Sequence, residues 1–379
     1  MKVEGNSMKK FVVGKLVDEE NICNLSKERD AILRNINNGN NVVIYGPRNY
    51  GKTSLVKNVI MKQFSQTHKQ AFIFFVDLFN VTDNESLTLR LKAALEHAMA
   101  EIPLKKWTNE IKKFVSHMRP EVSFDPVTGA ASLSLKSIDI RNSQSMDDLF
   151  RVLKNISQKK DLLMVFDEFQ DIVKLKSEQG IIRSFLQDID SPVIVMGSKS
   201  HLLSEIFLKP REPFYQWGTP VSFSPIDYEI YHTYINERLA AKGIRLGFEV
   251  SKTLQDNMHR VPESINLVCA EIMENYENVE IEQEMVNHTI TRIIETRQTQ
   301  YEELLGYHSL KEQIIMASIA KRGQLRQFNS VEYLAELKMN NKTVATTFKI
   351  LIDAGHIEKY NKVYRINDPL LETYLRLYR

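Results

Sequence analysis

An octet near the N-terminus combines residue types that can hold a chain of phosphates. Residues 46–53 read Gly-Pro-Arg-Asn-Tyr-Gly-Lys-Thr and directly follow the apolar run 42–45. The pattern G-x-x-x-x-G-K-T between a strand and a helix predicts a loop whose backbone N–H groups and helix N-terminus bind a triphosphate. We expect the Lys52 ammonium to neutralise the β- and γ-phosphates and the Thr53 hydroxyl to be a ligand of Mg²⁺. The predicted nucleotide contacts in this segment are Gly46, Pro47, Arg48, Asn49, Tyr50, Gly51, Lys52, Thr53 and Ser54.

A second group of polar residues follows two later apolar runs. The run 162–166 leads into Asp167 and Glu168, and the next run ends at Ser198. We expect Asp167 to hold Mg²⁺ and Glu168 to orient and deprotonate the attacking water. Ser198 can hydrogen-bond that water or the γ-phosphate, because ligands of open α/β sheets collect at the carboxyl ends of the strands. The alternative for the acidic pair is that two carboxylates simply close a strand at a helix N-terminus, where negative charge is favourable.

The composition is that of an ordinary globular protein. Of the 379 residues, 43% are apolar and 26% are charged, and the net charge of +2 is too small to indicate a nucleic-acid partner by itself. With only two cysteines, the chain has no disulfide framework, which favours a reducing compartment, and we expect a cytoplasmic protein without a membrane span. The histidines are scattered, so no metal site is expected beyond Mg²⁺ bound with ATP or ADP.

Three segments of different character follow one another. Strands alternate with helices up to Pro225, which predicts an α/β, doubly wound parallel sheet, with helix 26–37 capped by Ser26. Polar residues 102–145 interrupt this pattern and contain a predicted β-hairpin. We therefore assign 1–225 to the core with its insertion, 226–300 to an all-α lid, and 301–379 to a winged helix-turn-helix domain.

The motifs together resemble archaeal-type P-loop ATPases on the border of the AAA+ and STAND groups, akin to replication-origin initiators. The resemblance implies a P-loop NTPase sheet of order 5-1-4-3-2, a helical lid over the nucleotide and ATP-driven conformational change. It also implies a nucleotide contact by Pro262, because Arg260-Val-Pro262 is similar to the family's Gly-x-Pro segment. The residues that carry the resemblance are Phe11–Gly14, Gly46–Ser54, Val165–Phe169, Met196–Ser198, Pro213–Tyr215, Phe223–Pro225 and Asp368–Pro369.

Two departures from the family's pattern bear on catalysis. The segment before the first helix, Ile22–Glu28, lacks the usual arginine, and Pro213-Phe-Tyr-Gln-Trp217 stands where relatives have Pro-Leu-Tyr-Gly-Arg. The arginine finger is therefore missing from its usual place. Such a residue is worth ~10³–10⁵ in rate where it operates, so slow hydrolysis is as compatible with the sequence as rapid turnover.

The C-terminal domain has the proportions of a DNA-binding module. We expect residues 338–365 to contact double-stranded DNA, and an alternative is that the same polar residues are the solvated face of a protein-interaction domain. From residue 301 onward, twelve Lys/Arg face nine Asp/Glu, a mild positive excess. The candidate DNA contacts are Asn341, Lys342, Thr343, Thr346, Thr347 and Lys349 on the second helix, with Lys359, Lys362 and Arg365 on the wing.

Together these patterns predict an ATP-binding and hydrolysing switch that acts on DNA or within a nucleoprotein or defence-type assembly. The alternative hypothesis is a nucleotide-gated protein-interaction or transcriptional regulator with little or no ATP turnover. A homo-oligomer or a separate protein partner is compatible with either.

Overall fold

The computed structural model describes residues 9–100, 120–124, 131–135, 144–198, 200–360 and 363–379. These residues form two compact units, one comprising Lys15–Pro225 and the other comprising residues 9–14 together with Ile226–Arg379. In each unit, the spacing of apolar residues along the sequence explains where helices and strands form.

The first unit contains a five-stranded parallel sheet. The strands are β1 (Val42–Tyr45), β2 (Ala71–Asp77), β5 (Asp161–Asp167), β6 (Val193–Gly197) and β7 (Thr219–Ser222). They lie side by side in the order β2-β5-β6-β1-β7. If these five strands are numbered 1 to 5 along the chain and read from the β7 edge, this is the predicted order 5-1-4-3-2.

Apolar side chains cover both faces of this sheet, as the continuous Val, Ile and Phe runs predict for parallel strands. Phe74 and Phe166 pack on one face, and Ile44 and Val165 pack on the other. The register places Asp77 opposite Asp167 and Tyr45 opposite Gly197, so the polar residues after these strands meet at one edge.

Helices flank the sheet, and the one after the phosphate-binding loop contains a π-helical turn, Val56–Ile60. The first helix has the predicted bounds, but the prediction that Ser26 is its N-cap is wrong. Leu25 occupies the cap position, and the Ser26 hydroxyl donates to Asn24 Oδ1 at 3.1 Å. The helices of this unit are α1 (Ser26–Asn37), α2 (Lys52–Leu55), α3 (Met61–Thr67), α4 (Asn84–Ala100), α5 (Gln144–Ser157), α6 (Lys176–Gln187) and α7 (Ser200–Phe207).

The predicted hairpin is present. Strands β3 (Pro120–Phe124) and β4 (Ala131–Leu135) pair antiparallel, with Val122 opposite Leu133. The remainder of the predicted insertion 102–145 lies outside the described residues, apart from the first residues of α5.

The second unit is mainly helical. Two strands of two residues each, β8 (Arg245–Leu246) and β9 (Glu280–Ile281), pair parallel between its first helices and were not predicted. These helices are α8 (Tyr228–Leu239), α9 (Phe248–Asn257), α10 (Pro262–Asn275), α11 (Gln283–Thr296) and α12 (Gln298–Gly306).

A winged helix completes this unit. Buried Phe348 packs its ring against those of Phe328, Tyr333 and Tyr364, which joins the helices to the wing. The elements are α13 (Leu310–Arg322), α14 (Val331–Leu337), α15 (Asn341–Asp353), β10 (Ile357–Tyr360), β11 (Val363–Ile366) and α16 (Pro369–Tyr378). Among the described residues of the whole chain, no helix combines the length and apolar character needed to cross a membrane.

Candidate nucleotide site

Two glycines shape the loop between β1 and α2. A Cβ on Gly46 would lie 2.7 Å from the Cβ of Phe223, the residue that follows β7, so a larger residue at position 46 would clash with Phe223. Gly51 has a φ of +80°, a left-handed conformation that L side chains rarely adopt. These positions allow the chain to turn tightly just before Lys52 begins the helix.

The Lys52 side chain folds back into this loop. It is only 6% exposed, and its Nζ donates to the carbonyl oxygens of Gly46 at 2.8 Å and Pro47 at 2.5 Å. Burial lowers the pKa of this ammonium to about 8, although the nearby carboxylates of Glu168 and Asp167 oppose that shift. The loop thus presents a desolvated positive charge at a helix N-terminus, where an anion is stabilised.

Thr53 and Asp167 come together from distant parts of the sequence. The Thr53 hydroxyl donates to Asp167 Oδ2 at 2.9 Å, and Asp167 Oδ1 accepts from the backbone N–H of Glu168 at 2.9 Å. Burial raises the pKa of the Asp167 carboxyl to about 6, and the hydrogen bond from Thr53 acts in the opposite direction. A half-buried hydroxyl beside a buried carboxylate is a suitable oxygen donor pair for Mg²⁺.

These two residues would hold the ion together with phosphate and water. The described residues contain no cluster of three or more His, Cys, Asp or Glu side chains suited to a metal.

Glu168 lies next to this pair in a left-handed backbone conformation, with φ +50°. Such a conformation is uncommon for a residue with a side chain and recurs at functional sites. The Ser198 hydroxyl donates to the Glu168 carboxylate, 3.0 Å from Oε2 and 3.4 Å from Oε1, and Arg48 Nε lies 3.4 Å from the same hydroxyl. The structure therefore brings the three predicted catalytic residues, Lys52, Glu168 and Ser198, to one edge of the sheet.

Parts of this sequence match known protein families. Residues 27–202 match the model of an ATPase domain found predominantly in Archaea. The match includes every predicted site residue of the first unit. Residues 299–377 match a model for a "probable winged helix domain", in agreement with the observed elements.

Solved structures share the fold at low sequence identity. The Walker-type ATPase PABY2304 of Pyrococcus abyssi is 16% identical, with a TM-score of 0.63, covering 97% of this chain and 99% of that chain. The Aeropyrum pernix ORC2 protein, in ADPNP and ADP complexes, is 15% identical with a TM-score of 0.54, covering 93% of this chain and 91% of that chain. The Aeropyrum pernix ORC1 protein in complex with DNA is 14% identical with a TM-score of 0.52, covering 94% and 93%. No curated protein gives a significant sequence match.

The other predicted nucleotide contacts of the first unit differ in their exposure to solvent. Arg48 and Asn49 are exposed and Pro47 is half-buried, whereas the Tyr50 side chain is buried in the core. Ser54 is also buried, and its Oγ accepts from the backbone N–H of Val17 at 3.1 Å. A nucleotide contact by Tyr50 would therefore involve its backbone.

Pro262, the remaining predicted contact, belongs to the second unit. It begins α10 and follows Val261 at the N-cap. In the same unit, the Arg260 guanidinium donates to the carbonyl of Ile226 and lies 4.0 Å from the ring centroid of Tyr228. Nucleotide binding by Pro262 stays a prediction.

The winged helix domain presents most of the predicted DNA contacts, with two differences. Thr347 is buried, so the prediction that its side chain faces a duplex is wrong: it lies on the same helix face as Val344 and Phe348. Arg365 is paired with Glu358, with Nε 2.6 Å from Oε1, and Lys362 lies outside the described residues. Asn341, Lys342, Thr346, Lys349 and Lys359 are exposed, and Thr343 is half-buried.

One contact of Glu168 was not predicted. The amide nitrogen of Gln170 donates to Glu168 Oε2. The only sequence signal is a glutamine two residues after the acidic pair, and a contact at that spacing requires the tight 3₁₀ turn Phe169–Lys174.

Proposed function

We propose that this protein binds ATP with Mg²⁺ and hydrolyses it, and that the nucleotide state changes the second unit in a switch-like manner. The observation that carries the proposal is the convergence of Lys52, the Thr53–Asp167 hydrogen bond and Glu168 at one sheet edge. An isolated acidic pair at a strand end would explain Glu168 but not the buried ammonium beside it.

Each residue has a distinct part in this proposal. Lys52 would exchange the carbonyls of Gly46 and Pro47 for β- and γ-phosphate oxygens, which are stronger partners for an ammonium. Thr53 and Asp167 would hold Mg²⁺, which supplies positive charge that offsets charge developing on the phosphates. Glu168 would accept a proton from the attacking water, and the Ser198 hydroxyl would orient that carboxylate.

We further propose that the winged helix binds double-stranded DNA through residues 338–365. The exposed amide, hydroxyl and ammonium groups on α15 support this, since such groups contact bases and phosphates. The similar Aeropyrum pernix ORC1 protein was solved with DNA, which agrees with the idea. The proposal includes a cytoplasmic location and three domains: a core (1–225), a lid (226–300) and a winged helix domain (301–379).

A regulator with little ATP turnover is the second candidate, because one observation favours it. Trp217 takes the place of the family's arginine and is buried against the rings of Phe207 and Phe214. The chain therefore supplies no guanidinium at that position, and hydrolysis would rely on the remaining groups.

Steady-state phosphate release by the full chain, with and without duplex DNA, tests the proposal. We expect Glu168→Gln to retain ATP binding and to lower kcat by roughly 10²–10⁴, the usual contribution of a general base. A Glu168→Gln variant as active as the parent would refute the catalytic assignment. Tight ADP retention without turnover in the parent protein would favour the regulator.

A further inference from the structure

The side chain of Gln170 is enclosed next to the proposed catalytic base. It is 1% exposed, and its Nε2 donates to Glu168 Oε2 and, at 3.2 Å, to Asp171 Oδ1. A side-chain amide nitrogen carries two hydrogens, so both are used on carboxylates.

The surroundings determine which way this amide faces. Gln170 Oε1 is buried and has no hydrogen-bond partner among the described residues, and it lies against Gly197, where a Cβ would be only 2.1 Å away. Turning the amide around would place its oxygen against two carboxylates, which is electrostatically unfavourable. The unpaired oxygen is therefore the cost of directing the NH₂ group at Glu168, and the absence of a side chain at Gly197 makes room for it.

This contact makes the two carboxylate oxygens of Glu168 unequal. Oε2 accepts from Gln170 and lies 3.0 Å from Ser198 Oγ, whereas among the described residues Oε1 has only the longer 3.4 Å contact with Ser198. The less engaged oxygen, Oε1, is the one better able to accept a proton from water.

We propose that Gln170 is a positioning residue of the ATPase site, which holds the Glu168 carboxylate with Oε1 available for the attacking water. Gly197 is the companion position that admits the glutamine. The inference rests on the proposed function, because it assumes that Glu168 is the general base.

Gln170→Leu in the full chain tests it, because leucine fills similar volume without donors. We expect kcat for ATP hydrolysis to fall by about tenfold or more, because a misplaced base loses transition-state stabilisation. KM and the dissociation constant for ADP should stay within about twofold of the parent's values. The hydrogen bonds that Gln170 donates go to Glu168 and Asp171, and not to Lys52 or Thr53 of the phosphate-binding loop. Gly197→Ala should reproduce the kcat defect by displacing the amide, and it serves as the second variant if Gln170→Leu folds poorly.

Gln179 provides a matched control. It is also a fully buried glutamine whose Oε1 has no hydrogen-bond partner in the described part of the chain, but its Nε2 donates to the backbone carbonyls of Ile172 at 2.9 Å and Val173 at 3.1 Å. Gln179→Leu should lower the Tm without changing kcat. If both glutamine variants lowered kcat equally, the effect would be one of general packing, and the positioning role would be refuted.

A double-mutant cycle separates action through Glu168 from independent effects. In a Glu168→Gln background, measured by single-turnover kinetics, Gln170→Leu should cause no further loss. A further tenfold loss in that background would overturn the inference. A crystal structure of the Gln170→Leu protein gives a readout besides activity: the Glu168 carboxylate should rotate, and an unchanged carboxylate would contradict the proposal.

The parent protein distinguishes the two levels of failure. If it hydrolyses ATP and Gln170→Leu is equally active, only this inference is wrong. If the parent binds ATP but does not hydrolyse it, the proposed ATPase function fails and the role of Gln170 fails with it.

Discussion

Two lysines show how differently the two units use positive charge. Lys52, in the phosphate-binding loop, is buried and held by the carbonyls of Gly46 and Pro47. Lys349, on the second helix of the winged domain, is exposed. Burying a charge is costly unless polar groups replace its water, whereas an exposed charge keeps its hydration.

This difference in burial makes Lys52 more informative about function than Lys349. Burial lowers the pKa of Lys52 to about 8, and an anion in the loop would stabilise the charged form of this side chain. Lys349 fits a DNA phosphate and bulk water equally well. The geometry around Lys52 therefore favours an anion as ligand, whereas the exposure of Lys349 favours neither DNA nor bulk water.

The largest expected effect is on the buried side of this comparison. Lys52→Ala should weaken ATP binding by roughly 100-fold or more, about 2.7 kcal/mol, because charge-assisted hydrogen bonds to phosphate are lost. Isothermal titration calorimetry with Mg²⁺-ATP measures this. Lys349→Ala is the control and should bind ATP as the parent does; equal losses in both variants would break the contrast.

The second effect is the pH dependence of nucleotide binding. Below about pH 6 the Asp167 carboxyl becomes protonated and loses its attraction for Mg²⁺, and above about pH 8 Lys52 loses its positive charge. Affinity for Mg²⁺-ATP should therefore be highest between these values and fall on each side by up to about tenfold per pH unit. Asp167→Asn should remove the loss of affinity at low pH. Affinity that stays constant in the parent from about pH 5 to about pH 9, roughly one unit beyond each pKa, would contradict the assigned roles.

A smaller effect is expected on the exposed side. Replacing both Lys342 and Lys349 by Ala should weaken duplex DNA binding several-fold and reduce the slope of log affinity against log salt by about 0.9 per lost phosphate contact. Fluorescence anisotropy of the full chain at several salt concentrations measures the slope. Lys311→Ala, at an exposed position on α13, is the matched control, and an unchanged slope in the double variant would argue for a solvated face or a protein partner.

The smallest effect separates neighbouring threonines on α15. Thr347 is 7% exposed, so Thr347→Val should leave DNA affinity within about twofold of the parent. Thr346 is exposed, and Thr346→Val should weaken binding by up to about 1 kcal/mol if its hydroxyl contacts the duplex. The same anisotropy assay compares them, and a larger loss from Thr347→Val would mean that the helix presents a different face.

Much of the architecture could be predicted because its signals are local. Apolar runs of Val, Ile and Phe predicted the strands of the core sheet, and the helix predicted over 26–37 has the bounds of α1. The strand order came from the family resemblance and is confirmed. Strands β8 and β9 were missed because two residues each are too few to show a period.

The sequence by itself determined the chemical groups of the phosphate-binding loop and the acidic pair, because their types and spacing are short-range features. Only the tertiary structure decided that Thr53 meets Asp167, 114 residues away, and that Ser198 meets Glu168, 30 residues away. It also decided that Gln170 faces Glu168 and that Thr347 turns inward toward the core. Such contacts depend on strand order, turn geometry and the packing of whole helices, and no local pattern contains that information.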